Sequence, residues 1–122
     1  MYDHIGLRVT NLDASIRFYE SALKPLGLVL CTRYDGGAGF GPPEQPKLWL
    51  HAASKAPGGA HVAFSAPNRD AVAQFHREGR TAGGKDNGEP GLRLDYSPTY
   101  YAAFLIDPDG NNVEAVCMKE SG

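Results

Sequence analysis

Cysteine is scarce in this chain. The two present, Cys31 and Cys117, stand far apart and in no CxxC spacing, which argues against a disulfide framework and against a thiolate metal site. Both read as reduced thiols in buried strands. Excess charge is lacking too: the formal net charge is −2, so the chain carries neither a nucleic-acid footprint nor a basic membrane patch. No apolar run approaches the roughly 20 residues needed to cross a bilayer. The N-terminus shows no basic-then-apolar secretory pattern. These absences lead us to expect a cytoplasmic protein with neither nucleic acid nor membrane as its partner. The 122 residues amount to one domain that buries its core without disulfides. Fifteen glycines and nine prolines favour many short elements joined by turns.

What is present is an internal repeat. Sliding the chain by 57 positions lays Asp3-His4-Ile5-Gly6-Leu7 on Ala60-His61-Val62-Ala63-Phe64. The register then runs on through Asn11 on Asn68, Asp13 on Asp70, Ala14 on Ala71 and Phe18 on Phe75. A second match, offset by 65, sets Lys47-Leu48-Trp49-Leu50 on Asn112-Val113-Glu114-Ala115. The difference of 8 between the offsets is an insertion in the second copy, before its last hairpin. Similar modules commonly pack around a pseudo-twofold axis, which would gather His4, His61, Trp49 and Glu114.

Each copy reads as a strand, a helix and three more strands. Asp3–Val9 alternates like a strand, and Asn11 caps a helix with Asp13 in its first turn. Leu12, Ile16, Tyr19 and Leu23 form that helix's apolar stripe. Pro25 and Gly27 end it. Strands follow at Leu28–Tyr34, Ala38–Phe40 and Lys47–Ala52. In the second copy, His61–Ala66 is a strand and Pro67-Asn68 leads into a helix that bears Val72 and Phe75 inward and a solvated His76. Leu92–Tyr96, Tyr100–Ile106 and Asn112–Cys117 complete the set, with Asp107-Pro108-Asp109-Gly110 as a structural turn. The expected fold is α+β: two tandem βαβββ modules, 1–55 and 58–118 within one domain spanning 1–122, forming a curved, cup-shaped mixed sheet with helices outside.

Strand alternation puts His4, Gly6 and Arg8 on one face, and the repeat puts His61, Ala63 and Ser65 on the matching face. A lone strand histidine is ordinarily a satisfied core group or a surface residue. Two at the same repeat position weaken that reading. Glu114 interrupts the apolar run Val113–Val116 and is either solvated or held by a partner, because burying it unpaired is costly. Two neutral imidazoles and a carboxylate suit Fe(II), Mn(II), Zn(II) or Ni(II) and leave coordination positions open.

The segments Asp3–Val9, Ser15–Glu20, His61–Phe64 and Asp107–Glu114 resemble the vicinal oxygen chelate superfamily, which includes glyoxalase I, bleomycin-resistance proteins, fosfomycin-resistance thiol transferases and extradiol dioxygenases. The resemblance spans essentially the whole chain. It implies His4, His61 and Glu114 as ligands of one divalent metal ion. It also implies a homodimer, and leaves open whether each site lies within one chain or takes His4 from one chain and His61 with Glu114 from the other.

The departures narrow the activity. Glyoxalase I and related epimerases carry Glu or Gln where the repeat places Trp49, and indole neither ligates nor takes a proton. His51, on the same strand face, is an alternative ligand or base. Arg8 matches a glyoxalase residue that holds an acidic group, and reads either as a contact for an anionic substrate or as a strand-face arginine paired with a carboxylate. The fosfomycin enzymes carry a tyrosine where Phe104 stands and an arginine where only Lys119 is available, so that activity is disfavoured. A dioxygenase would need an acid-base group, for which Tyr100, Tyr101 and His51 are candidates. The inserted stretch from Lys85 to Tyr101 concentrates Arg93, Asp95, Tyr96, Tyr100 and Tyr101; it is a long hairpin or a pocket lip. The expectation is a divalent-metal-dependent lyase or dioxygenase acting on a small oxygen-chelating substrate, with Arg8, Trp49, Phe104 and Arg93 as substrate contacts. The alternative is a metal-free protein that sequesters a small molecule, as bleomycin-resistance proteins do.

Overall fold

The two helices begin alike because the sequence caps them alike. In the computed structural model, which describes residues 1–120, helix α1 spans Leu12–Leu23 and helix α2 spans Arg69–Thr81. Asn11 Oδ1 accepts from Ala14 N at 3.0 Å, and Asn68 Oδ1 accepts from Ala71 N at 2.8 Å. Each cap satisfies a backbone donor that the helix leaves open. Asp13 and Asp70 then place a carboxylate in the first turn. A 3-10 turn, Lys24–Leu26, ends the first helix at Gly27, whose φ of 83° is the left-handed conformation glycine takes without strain.

The strands are β1 (Ile5–Val9), β2 (Val29–Tyr34), β3 (Gly37–Gly41), β4 (Leu48–Ala52), β5 (His61–Ser65), β6 (Lys85–Leu92), β7 (Tyr101–Ile106) and β8 (Asn112–Cys117). They form two four-stranded sheets, ordered β1-β4-β3-β2 and β5-β8-β7-β6. In each, the first pair is parallel and the others antiparallel. The βαβββ order thus occurs twice, and the architecture is α+β with mixed sheets. The strands divide between two sheets, and β1 and β5 are each paired along one edge only.

One face of each sheet packs against its helix. Leu7, Val9, Ala38, Phe40, Leu48 and Leu50 from the first sheet join Ala103, Leu105, Val113 and Ala115 from the second in one buried cluster with Phe18, Tyr19 and Phe75. A fully buried side chain of this size contributes about 1.5–3 kcal/mol. The helices also meet each other. A Cβ added at Gly79 would lie 2.4 Å from Leu105 Cδ1 and 3.1 Å from Ala22 Cβ. Ala22 and Gly79 are repeat-equivalent, so the modules touch where their smallest matching helix residues allow the closest approach.

Three expectations change, the first being that Cys31 is only partly buried, on the largely exposed β2. The sixth strand is Lys85–Leu92, not Leu92–Tyr96. Pro90 and the glycines at 88 and 91 discourage a central strand, but β6 is an edge strand and its pairing with β7 is irregular on both sides of Gly88. Residues 93–100 instead close in turns, with Arg93 N donating to Tyr100 O at 2.7 Å and Tyr96 N to Arg93 O at 3.0 Å. His76 is buried, not solvated, and its Nε2 lies 2.8 Å from Asp86 Oδ1. It occupies the repeat position of Tyr19, whose hydroxyl donates to the buried Asp107 at 2.5 Å. Asp107 also accepts from Asp109 N, Asn111 N and Asn111 Nδ2. The Asp107–Gly110 turn is therefore a structural lock between modules, to which Thr10 adds two hydrogen bonds on Asp109. No helix among the described residues is long and apolar enough to cross a membrane.

Candidate functional site

The register of the parallel pairs decides which side chains share the open face of each sheet. In the second sheet Ala63 lies opposite Glu114, so His61, two residues before Ala63, shares the Glu114 face. Phe104 is directly opposite Glu114 across β7 and β8. Flanking Ala103, Leu105, Val113 and Ala115 point into the core. In the first sheet the equivalent partners are Gly6 with Trp49 and Gly39 with Trp49. Trp49 therefore stands where Glu114 stands in the other module, and Gly39 stands where Phe104 does.

Glu114 is 1% exposed. Its Oε1 lies 2.7 Å from His61 Nε2, and its Oε2 accepts a hydrogen bond from the Tyr100 hydroxyl. Burial, followed by the bond to Glu114, pushes the Tyr100 phenol up to about 12. Tyr100 thus stands as a hydrogen-bond donor to the carboxylate. His61 remains open to solvent, with its ring centroid 6.4 Å from that of Phe104. The Arg93 guanidinium lies 5.3 Å above the Phe104 ring centroid and donates to Glu89 O at 2.6 Å. Across the sheet the face therefore reads imidazole, carboxylate, phenyl ring, guanidinium.

The first sheet's open face is paved differently. Gly37, Gly39 and Gly41 alternate with the buried Ala38 and Phe40. Aromatic rings lie in the space the glycines leave. A Cβ at Gly39 would come within 2.8 Å of Trp49 Cζ3, and one at Gly37 within 2.3 Å of the Tyr34 hydroxyl. The two rings are 6.4 Å apart. His51 lies over Gly6, 3.2 Å from where a Cβ would stand, and Arg8 pairs opposite His51 in the register. Tyr34 was not among the residues sequence reasoning selected. The glycines at every second position of β3 were the available signal, since they leave one sheet face bare.

His4 does not join His61 and Glu114 within one chain. It is exposed, and its Nδ1 lies 2.7 Å from Asp3 Oδ1. This bond, with help from Lys47, holds the Asp3 carboxyl below its usual range. The described residues contain no cluster of three or more His, Cys, Asp or Glu side chains placed to hold a metal ion. Pseudo-twofold packing failed to gather the ligands because the modules meet through their helices and keep separate sheets. Tyr101 is also removed from the site: it packs on the core side, under the Arg69 guanidinium at 5.0 Å. His51 belongs to the other sheet from Glu114.

The Glyoxalase/Bleomycin resistance protein/Dioxygenase superfamily model matches residues 2–115. The chain belongs to that superfamily. Among solved structures it is similar to a glyoxalase/bleomycin resistance protein from Albidiferax ferrireducens, with 24% identity over 98% of this chain and 99% of that one, at a TM-score of 0.84. A glyoxalase/bleomycin resistance protein/dioxygenase family enzyme from Burkholderia phytofirmans is 14% identical over 98% and 100% of the two chains, with a TM-score of 0.74. A glyoxalase/bleomycin resistance protein from Catenulispora acidiphila gives 16% over 98% and 100%, with 0.69. At these identities the likeness is one of fold. No curated protein matches the chain.

The superfamily commonly binds a metal ion, and this donor set fits one in part. A buried carboxylate faces an accessible imidazole nitrogen, which supplies two ligands of the right chemistry, with a third needed from elsewhere.

Proposed function

We propose that this protein is a divalent-metal-dependent enzyme of the glyoxalase or dioxygenase type, and that it works as a homodimer with shared sites. His61 and Glu114 of one chain would hold the ion together with His4 of a second chain. The observation that carries this reading is the His61–Glu114 pair: a carboxylate 1% exposed, on an open sheet face, against a solvent-open imidazole. Burying such a charge is costly unless something nearby compensates it.

Support for the second chain comes from the edges. β1 and β5 each leave one edge unpaired, and an apolar cavity of about 360 Å³ lies beside them, lined by Tyr2, Ile5, Leu28, Phe40, Val62 and Phe64. Symmetric dimers are the commonest oligomers. His4, at the repeat position of His61, sits just before β1 and, among the described residues, has Asp3 as its one hydrogen-bond partner.

Once bound, the ion supplies a Lewis acid for two adjacent oxygens of a small substrate. Tyr100 orients the Glu114 carboxylate through Oε2 and leaves Oε1 directed at His61. Phe104 shields the flank of that pair. Trp49, at the position equivalent to Glu114, leaves the first sheet without a carboxylate to remove a proton, so lactoylglutathione formation from methylglyoxal and glutathione is not expected. The alternative reading, a metal-free binding protein, is favoured by one feature, the Trp49–Tyr34 pair laid over the β3 glycines.

A complementation experiment tests the shared site. His4→Ala and His61→Ala proteins, made without a polyhistidine tag, should each fail to bind Mn²⁺ tightly by electron paramagnetic resonance. Unfolding and refolding them together should restore one intact site per mixed dimer. A monomeric mass in sedimentation, or an unmodified protein that binds no divalent ion, would overturn the reading.

A further inference from the structure

The guanidinium of Arg93 is held over the site by features with no evident structural need. Its backbone is fixed at the base of the 93–100 turn by the bonds to Tyr100, Tyr96 and Ser97. Its side chain doubles back along β6. There a Cβ at Gly88 would lie 3.2 Å from Nη2, and one at Gly91 would lie 3.2 Å from Nη1. Glycine at both positions makes the bed in which the planar group lies. The Phe104 ring supports it from below at 5.3 Å, and Glu89 O fixes Nη2 at 2.6 Å. Among the described residues no carboxylate pairs with it. Guanidinium carries five N–H donors in a rigid fork that matches an oxyanion, and Glu89 occupies one nitrogen.

We propose that Arg93 is a specificity-determining anion subsite, and that the substrate carries a carboxylate or similar oxyanion in addition to its two chelating oxygens. The proposal rests on the metal-site reading of His61 and Glu114. The geometry sets the separation. Glu114 lies on β8, Phe104 opposite it on β7, and Arg93 reaches the Phe104 ring from the β6 side. With strands about 4.8 Å apart, the backbones of β6 and β8 stand roughly 10 Å apart, which bounds the span between the cation and the carboxylate. An apolar or planar spacer passing the edge of the Phe104 ring bridges that distance. A substrate bearing only the chelating oxygens would leave the fork unanswered.

Two matched probes differ only at the far end: 3-(3,4-dihydroxyphenyl)propanoate and the neutral 4-propylcatechol. Their affinities for the Mn²⁺-loaded dimer are read by titration calorimetry. The carboxylate probe should bind about tenfold or more tightly, as a charge-assisted hydrogen bond predicts. Arg93→Gln should remove that preference with 4-propylcatechol and Mn²⁺ affinities unchanged, and Arg93→Lys should recover part of it. Gly91→Ala, which keeps the charge but intrudes on Nη1, should also lower the preference. Equal binding of the two probes, or a preference that survives Arg93→Gln, overturns the subsite and leaves the metal reading intact. Failure of the unmodified protein to bind Mn²⁺ overturns the metal reading, and this proposal with it.

Discussion

The two modules keep one backbone plan and give it opposite chemistry. Gly6 faces Trp49 in the first sheet as Ala63 faces Glu114 in the second, and Gly39 flanks Trp49 as Phe104 flanks Glu114. One open face is a glycine floor paved with Trp49, Tyr34 and His51. The other carries a buried carboxylate with an imidazole, a phenol and a guanidinium around it. The inward faces differ far less, because both must fill the same helix-packed core at close-packed density. Duplication thus constrains the residues that pack and releases those that face outward. The same contrast appears at the equivalent helix positions: Tyr19 anchors the buried Asp107, while His76 reaches the partly exposed Asp86.

The sharpest way to break this comparison is to cut the polar lock that the second module's turn makes with the first. Asp107→Ala would leave Tyr19 Oη, Asp109 N, Asn111 N and Asn111 Nδ2 without their acceptor. Buried unsatisfied donors cost about 1–3 kcal/mol each, so with partial rescue by water the expected loss is about 3–5 kcal/mol. Urea denaturation measures it. A loss below about 1 kcal/mol would show that the turn does not tie the modules together.

A smaller effect tests the glycine floor. In Gly39→Ala the new methyl would fall 2.8 Å from Trp49 Cζ3 and 3.0 Å from Pro46 Cβ. The ring must lift, at a cost of about 1–2 kcal/mol typical of overpacking. Trp49 is the chain's single tryptophan, so its emission should shift to the red and become easier to quench with acrylamide. Unchanged emission would mean the indole does not rest on the floor.

The smallest effect concerns pH. The hydrogen bond from His76, followed by that from Gly88 N, holds the Asp86 carboxyl below its usual range. A depressed carboxyl stabilises the fold above its unfolded value, near 3.9, and that contribution disappears as pH falls through the lower folded value. The stability difference between the unmodified protein and Asp86→Asn should therefore shrink as pH falls from about 5 toward about 2.5. A difference that grows between about pH 5 and about pH 2.5 would contradict the assignment.

Local physics made much of this legible beforehand. The Asn11 and Asn68 caps, the apolar stripe through Ile16, Tyr19 and Leu23, and the Trp49–Glu114 equivalence all depend on short-range spacing, and the structure bears each out. β6 was misplaced because glycine and proline signal a break, whereas an edge strand tolerates both. His76 was misjudged because a helical residue's burial depends on what the next strand brings to it. Sequence alone determined the duplication and the α+β modules, since alternation and helical period are properties of the chain. Only the tertiary structure decided that His4 stays apart, that Tyr100 and not Tyr101 meets Glu114, and that Arg93 lies on Phe104. Those outcomes depend on how sheets and turns close in space, and no local periodicity encodes that.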